Sequence, residues 1–589
     1  MDNMNSERTT KEILDQMCSR TERVPLYNPA AIDSIARDLD RWLNLVVNVR
    51  DREQFHLTPL SLLGSEIPRA MLYTPLDTAN PDYGDLGFPG QEPYTRGIHP
   101  NMYRGRTFTM RQLCGAGSRE YINHRIRSLL DHGATGVNLI LDAATIQMYD
   151  SDEPEAKGQV GTVGVPIDCS EDMDVIFQDV PIDRVSVSIV THYPQNTAVL
   201  FPMYLVMAER RGIPWNTLQG SVQNDFVMET VVRSALQYIP PRDAFRIQCD
   251  NIQFLRTNVP KWNCVTFNGY NLREFGTTGV TEMAVALANA IETVSEMERR
   301  GHGPDQVGER LAFFWSFASD FFGEVARLRA VRRLWYRIMR YRFQAQNPKS
   351  MWMRCHVQTS GISLTREEPI NNIVRAAFHA LAAILGGAQS LHVDSYDEAY
   401  SVPSEDASLL SLRTQQIIQM ETAVTEVVDP VGGSFYVEAL TNEMERRILD
   451  ELDEIEKLGG LITAIEKGWL HARVNEHIQR EQKMIADGDI RLVGRNYLRS
   501  PELQMPDLWV HENDSELETE VARRLTLVRQ QRNEQEVNRC LNRLRETCRG
   551  NENIMASCVE AVRAGATEGE MRRAFTEAFG AWSPPKLTF

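Results

Sequence analysis

The 589-residue chain lacks several features that would assign it quickly. Its nine cysteines are scattered with no CxxC pair and no metal-ligand cluster, which argues against a zinc or iron–sulfur site and fits reduced thiols. No apolar run approaches membrane-spanning length. The N-terminal MDNMNSERTTKEILDQ has neither the charged nor the apolar region of a signal peptide, so a cytoplasmic protein without membrane contact is expected. A surplus of positive charge is also missing. The formal net charge is −17, which repels phosphate backbones and argues against nucleic acid as a partner. There is no G-x-G-x-x-G after a strand, no Walker loop and no G-x-S-x-G elbow.

What is present reads as one large domain with appendages. Residues 1–105 form an N-terminal arm, with a helix expected near 33–50 whose apolar face carries Ile35, Leu39, Trp42, Leu43 and Val46. Residues 64–100 are irregular and rich in Pro, Gly and Tyr. From about 106 to 425, short apolar runs alternate with amphipathic stretches. Strands are expected at 135–142, 184–190, 217–222, 245–248, 263–268, 311–317, 351–357 and 390–394. Helices are expected at 225–237, 278–299, 319–343 and 371–385 between them. This alternation predicts an α/β fold, a parallel (β/α)₈ (TIM) barrel, although doubly wound sheets give similar strings. Residues 426–589 read as a charged helical region, with Thr567 and Glu570 spaced as a capping box.

The strands are unusual for a packed barrel, whose inward layers normally carry Val, Ile and Leu. Ser186 and Ser188 alternate on one strand, Ser221 lies on another, and Thr266 and Asn268 alternate on a third. Small polar side chains at period two line either a hydrophilic bore or a solvated sheet face.

Longer strings, taken in order, carry a resemblance. They are NMYRGRTFTMRQ (101–112), YDSD (149–152), SVQND (221–225), PKWNCVTFNGYN (260–271) and RLAFFW (310–315). NPKSM (347–351), HVQTSGISLT (356–365), QSLHVDSYDEA (389–399) and VVDPVGGSFYVE (427–438) complete the set. The set resembles the methylmalonyl-CoA mutase family, including its isobutyryl-CoA and 2-hydroxyisobutyryl-CoA branches, over roughly residues 95–589. The resemblance implies a barrel with the pantetheine of CoA threaded through it, and an adenosylcobalamin-dependent radical isomerisation of an acyl-CoA thioester. Ser186, Ser188, Ser221 and Thr266 would then hydrogen-bond the amides of the threaded chain. Arg106, Arg111 and Arg310 fall at phosphate and CoA positions of the family.

The same resemblance implies site roles. Gln223, Tyr270, Asn271 and His356 fall at substrate and catalytic positions. Gln358, Glu274, Asp394 and Glu398 fall where the adenosyl group is held, and Ile146 lies where methylmalonyl-CoA mutase has a histidine near the corrin. Apart from the resemblance, an i, i+4 acidic pair such as Asp394 and Glu398 is a solvated helix face, and a strand histidine is a core residue. Arg233 matches the arginine that pairs with the substrate's free carboxylate; its bland reading is an exposed helix charge. Leu113 replaces an aromatic residue and Asn271 replaces a histidine that donates to the thioester carbonyl. Together these imply a substituted dicarboxylic acyl-CoA. A monocarboxylic or 2-hydroxyacyl-CoA, with Arg233 in a structural role, is the first alternative. The second is a repurposed relative, a cobalamin-independent lyase or decarboxylase or a scaffold subunit, suggested by Asn271 and Ile146. The family's cobalamin-binding string D-x-H-x-x-G is missing, which predicts a separate cobalamin-binding small subunit in a heterodimer or heterotetramer.

Overall fold

The computed structural model describes residues 8–17, 28–45, 67–70, 72–78, 83–228, 239–500, 511 and 514–584. The ten strands are β1 (Thr109–Arg111), β2 (Leu113–Cys114), β3 (Gly136–Leu139), β4 (Ser186–Ile189), β5 (Gly220–Val222), β6 (Trp262–Asn263), β7 (Val265–Asn268), β8 (Leu311–Phe317), β9 (Arg354–Thr359) and β10 (Ser390–His392). They form two five-stranded sheets, ordered β1-β10-β9-β8-β7 and β2-β3-β4-β5-β6. All pairings within the two sheets are parallel. The sheets are linked by the chain itself at two places, since β1 passes to β2 through Gln112 and β6 to β7 through Cys264.

One expected strand is a helix. Residues 245–248 lie inside the helix Pro241–Asn258, where Ala244, Gln248, Ile252 and Leu255 repeat at helical spacing on a buried face. The alternation of Phe245 and Ile247 is incidental to that face, and Pro241 in the first turn suits a helix start. A strand region that was not expected lies at residues 109–114, which carry Arg111 and Gln112 and run beside β10 and β3. Elsewhere the agreement is close, with β8 spanning 311–317 and helices at Gly279–Arg299 and Asn371–Gly386. The amphipathic arm helix runs from Pro29 to Leu45; Val46 lies outside the described residues. Of the stretch 225–237, residues 226–228 are helical and 229–238 are not described.

The helix Phe321–Arg337 holds the molecule together by ion pairs as well as packing. Arg327 is paired with both Glu282 and Glu324, Arg329 with Asp429 and Glu438, and Arg333 with Glu445. These arginines are buried, and stripping a partner from such a pair costs about 3–5 kcal/mol. Among the described residues, no carboxylate pairs with Arg332. It donates instead to the carbonyls of Tyr94 (2.8 Å), Thr95 (2.9 Å) and Gly386 (3.0 Å). That clamp fixes the end of the arm, so that Ile98 and His99 reach the space between the sheets. In the helical C-terminal region, Thr567 caps the helix Glu568–Phe579 with Glu570 in a reciprocal capping box.

Candidate functional site

A cavity of about 250 Å³ is lined by residues of both sheets. Side chains alternate in and out along a strand, so those at period two share a face. Ser186 and Ser188 of β4, Ser221 of β5, Thr266 of β7 and Asn138 of β3 all line it, with Asn263 of β6 beside them. Ser221 Oγ donates to Ser188 Oγ at 3.2 Å. Among the described residues, Asn138 Oδ1 and Asn263 Oδ1 are buried without a hydrogen-bond partner, leaving acceptors for a guest that carries N–H groups. Gly220 lets β4 and β5 meet, since a Cβ there would sit 1.8 Å from the Val187 carbonyl oxygen.

Arg111 crosses this space. Its guanidinium donates to the Val137 carbonyl (2.8 Å), the Ser186 carbonyl (3.1 Å) and hydroxyl (2.6 Å), and the Ser390 hydroxyl (3.2 Å). Gly136 makes room for it, because a Cβ there would lie 3.0 Å from Arg111 Cζ. Burial without a carboxylate lowers its pKa to about 10, so it stays charged at neutral pH. His356 lies beside it, with Nδ1 2.9 Å from Ser390 Oγ and its ring 5.0 Å from that of Phe314. Burial, followed by the Arg111 charge, pushes the His356 pKa well below the usual range, so the imidazole is neutral. Its Nε2 is buried with no hydrogen-bond partner among the described residues. Leu113 and Gln223 complete the wall, and Asn268 Nδ2 donates to Gln223 Oε1 at 3.2 Å.

The two ends differ in charge. Near the start of the strands, Arg354 lines the cavity, and the neighbouring Arg310 and His99 share that end with Arg106. Arg106 is exposed and Arg310 half-buried; neither lines the cavity. Past the strand ends, Gln358 Nε2 donates to both Tyr270 Oη and Asp394 Oδ1 at 2.8 Å. Tyr270 stacks on Phe314 at 4.7 Å with an interplanar angle of 7°. Glu274 accepts from Ser316 and Ser360 hydroxyls and the Ile362 amide, each at 2.8 Å. It thereby fixes the turn at Gly361, where a Cβ would lie 3.1 Å from Glu274 and 3.6 Å from Asp394 carboxylate oxygens. Burial raises the pKa of Glu274, and burial with carboxylate neighbours raises Asp394 and Glu398 well above the ordinary range.

The structure therefore brings together Arg111, Leu113, Ser186, Ser188, Ser221, Gln223, Thr266, His356 and Gln358 in one cavity. Tyr270, Glu274, Asp394 and Glu398 adjoin it through Gln358 and Glu274. Asn271 does not line it; its amide donates to Asn268 Oδ1 at 3.0 Å. Ile146 is buried in the hydrophobic core, and Arg233 lies outside the described residues. Sequence reasoning missed Arg354, Asn138, Asn263, Phe314, Ser390 and His392. Arg354 was legible, since it alternates with His356 and Gln358 on one strand.

A family model described as methylmalonyl-CoA mutase matches residues 63–581. The chain belongs to the methylmalonyl-CoA mutase family. It is 39% identical over 521 residues to a protein of Aquincola tertiaricarbonis named 2-hydroxyisobutanoyl-CoA mutase large subunit, covering 88% of this chain and 91% of that one. It is 39% identical over 520 residues to the methylmalonyl-CoA mutase of Rhizobium meliloti, covering 87% and 72%. Against the methylmalonyl-CoA mutase of Cereibacter sphaeroides it is 37% identical over 549 residues, covering 93% and 76%. These relatives are named as mutases, which are isomerases. Among the described residues, no helix is long and apolar enough to cross a membrane.

Proposed function

We propose that this member of the methylmalonyl-CoA mutase family is the catalytic large subunit of an adenosylcobalamin-dependent acyl-CoA mutase. The observation that carries the reading is the polar cavity between the sheets. The two sheets, continuous through Gln112 and Cys264, are read as the halves of one (β/α)₈ barrel whose bore is that cavity. A bore lined by hydroxyls and amides suits a pantetheine chain, whose buried amides need hydrogen-bond partners. Arg354, with Arg310 and Arg106 near it, faces the phosphates of CoA, which guanidinium groups bind well.

The residues at the other end fit a nucleoside. Asp394 and Glu398 offer acceptors for ribose hydroxyls, Asp394 Oδ2 is buried with no hydrogen-bond partner among the described residues, and Gly361 leaves the space beside it open. Bound there, adenosylcobalamin supplies homolytic radical chemistry that protein side chains lack. The chain's own residues position the thioester and exclude water. Tyr270 and Phe314 form an aromatic wall, and neutral His356 presents Nε2 to the bore. The cofactor's own binding domain is assigned to a cobalamin-binding small subunit, since a relative that this chain covers for 91% of its length is named a large subunit.

For the acid we retain a substituted dicarboxylic acyl-CoA, with Arg233 pairing the free carboxylate and aliphatic Leu113 widening the pocket. A 2-hydroxyacyl substrate is the second reading, favoured by the name of the Aquincola relative. Two substitutions test the proposal. Ser188→Leu, placed in mid-bore, abolishes acyl-CoA binding measured by calorimetry; undiminished binding removes the threaded chain from the account. Arg233→Gln abolishes isomerisation of dicarboxylic esters while sparing monocarboxylic ones; equal losses across a panel of esters count against the dicarboxylic substrate.

A further inference from the structure

Gln223 stands one residue beyond β5, at the seam where one sheet gives way to the other. Across that seam the Thr266 amide donates to the Gln223 carbonyl at 2.9 Å, and Asn268 Nδ2 donates to Gln223 Oε1 at 3.2 Å. A side-chain amide accepts on one side and donates on the other, so the side turned to the bore decides which ligand atoms it can hold.

That direction is fixed here by groups that cannot change roles. Asn268 is buried, and the main-chain N–H of Asn271 donates to its Oδ1 at 3.0 Å. A main-chain N–H only donates, so the Asn268 oxygen is held on that side. Its Nδ2 also lies 3.1 Å from Met228 Sδ, and a thioether only accepts. Asn268 therefore meets Gln223 with N–H, and Gln223 answers with Oε1. Turning Gln223 round would set two N–H groups against each other in a buried place. The main chain of Asn268 is pinned as well, its N–H donating to Asp225 Oδ2 at 2.6 Å.

In the bore this leaves a bare donor. Gln223 lines the cavity, and its Nε2 has no acceptor among the described residues. Gln358, by contrast, spends its Nε2 on Tyr270 and Asp394. Strand register places Asn138, Ser188, Ser221 and Asn263 in one row across the bore, where Asn138 and Asn263 present bare oxygens. Gln223 follows Ser221 by two residues, about 6–7 Å further along the strand. The wall thus changes from accepting to donating as it nears the strand ends. In an acyl-CoA, two methylenes and the sulfur separate the last amide N–H from the thioester carbonyl, which is the matching order of donor and acceptor. We propose that Asn268 is a positioning residue: it fixes the direction of the Gln223 amide, so that Gln223 offers the acyl group N–H and never oxygen. The inference rests on the acyl-CoA reading above and adds to it the residue that aims Gln223.

The test reverses the direction. In Asn268→Asp the carboxylate still accepts from Asn271 but has no N–H for Gln223, whose amide then turns its oxygen to the bore. Calorimetry on the full-length chain compares an acyl-CoA thioester with its thioether analogue, in which a methylene replaces the carbonyl. The parent is expected to prefer the thioester. In Asn268→Asp that preference falls by about tenfold, the scale of one hydrogen bond, while thioether affinity is kept. Thermal melts read the direction without ligand. Gln223→Glu can still accept from Asn268 and keeps most of the parent's melting temperature. Adding Asn268→Asp sets two carboxylates together and lowers it by more than the two single changes summed. An unchanged thioester preference in Asn268→Asp, equal losses for both ligands, or additive melts overturn the proposal. A parent that binds both ligands alike, with melts still coupled, counts against the threaded ester and upholds the aiming of Gln223 by Asn268.

Discussion

The two ends of the cavity are built from opposite charge on the same scaffold. At the start of the strands stand Arg354 and, close by, Arg310, Arg106 and His99. Beyond their ends stand Glu274, Asp394 and Glu398. All ten strands run parallel, so one family of loops builds each end, and charge placed in one family is separated from the other by the length of the strands. The basic end keeps its charge, since Arg354, despite burial, has a pKa of about 10. The acidic end is buried so deeply that its carboxyls resist ionisation. One end thus attracts anions, while the other offers hydrogen-bond acceptors and room for positive charge.

The sharpest way to break this contrast is to reverse the charge at the basic end. Arg354→Glu weakens binding of an acyl-CoA ester by about 10- to 100-fold, the scale of lost charge-assisted hydrogen bonds, and leaves adenosine affinity unaltered. Calorimetric titration with each ligand reads both. Equal losses for the two ligands erase the distinction between the ends.

A smaller effect follows from the buried carboxyls. Asp225, just past β5, accepts from the Asn268 amide (2.6 Å), the Val227 amide (2.8 Å) and Asn289 Nδ2 (2.8 Å), yet burial lifts its pKa to about 7. An unfolded aspartate titrates near pH ~3.9. Its folded pKa is raised, so its contribution to stability is full below about pH 4 and is lost as pH rises through about 7. Asp225→Asn therefore loses less melting temperature than the parent between pH 5 and 8. Arg354→Gln leaves the pH dependence in that window unchanged, because Arg354 titrates well above it. Thermal melts at both pH values check the pair; matching slopes in the parent and Asp225→Asn count against the buried carboxyl.

Much of this division was legible in the sequence. The alternation of Ser186 with Ser188 fitted either a polar bore or a solvated sheet face, and both serines line the cavity; the strings around Gln358, Asp394 and Glu398 pointed to the acidic end. The strand at 109–114 was not, because Arg111 and Gln112 interrupt its apolar run, and Arg111 points into a polar interior where an ordinary barrel strand carries an aliphatic side chain. Phe245 and Ile247 misled for the opposite reason, giving two apolar residues at strand spacing on a helix whose buried face is wider than one stripe. His392 was not singled out in the sequence, because the group its Nδ1 faces is the carbonyl of Arg111, which is remote from it in the chain. The pairing of Arg332 with arm carbonyls, which carries His99 to the cavity, is likewise a contact between distant segments.

The most direct test of the account is reconstitution. The purified chain is mixed with a cobalamin-binding small subunit and adenosylcobalamin, and a panel of acyl-CoA esters is followed by mass spectrometry. Isomerisation of at least one ester is expected, with conversion lost when either the small subunit or the cofactor is omitted. A reaction that proceeds without both, or ester binding with no isomerisation across the panel, contradicts it.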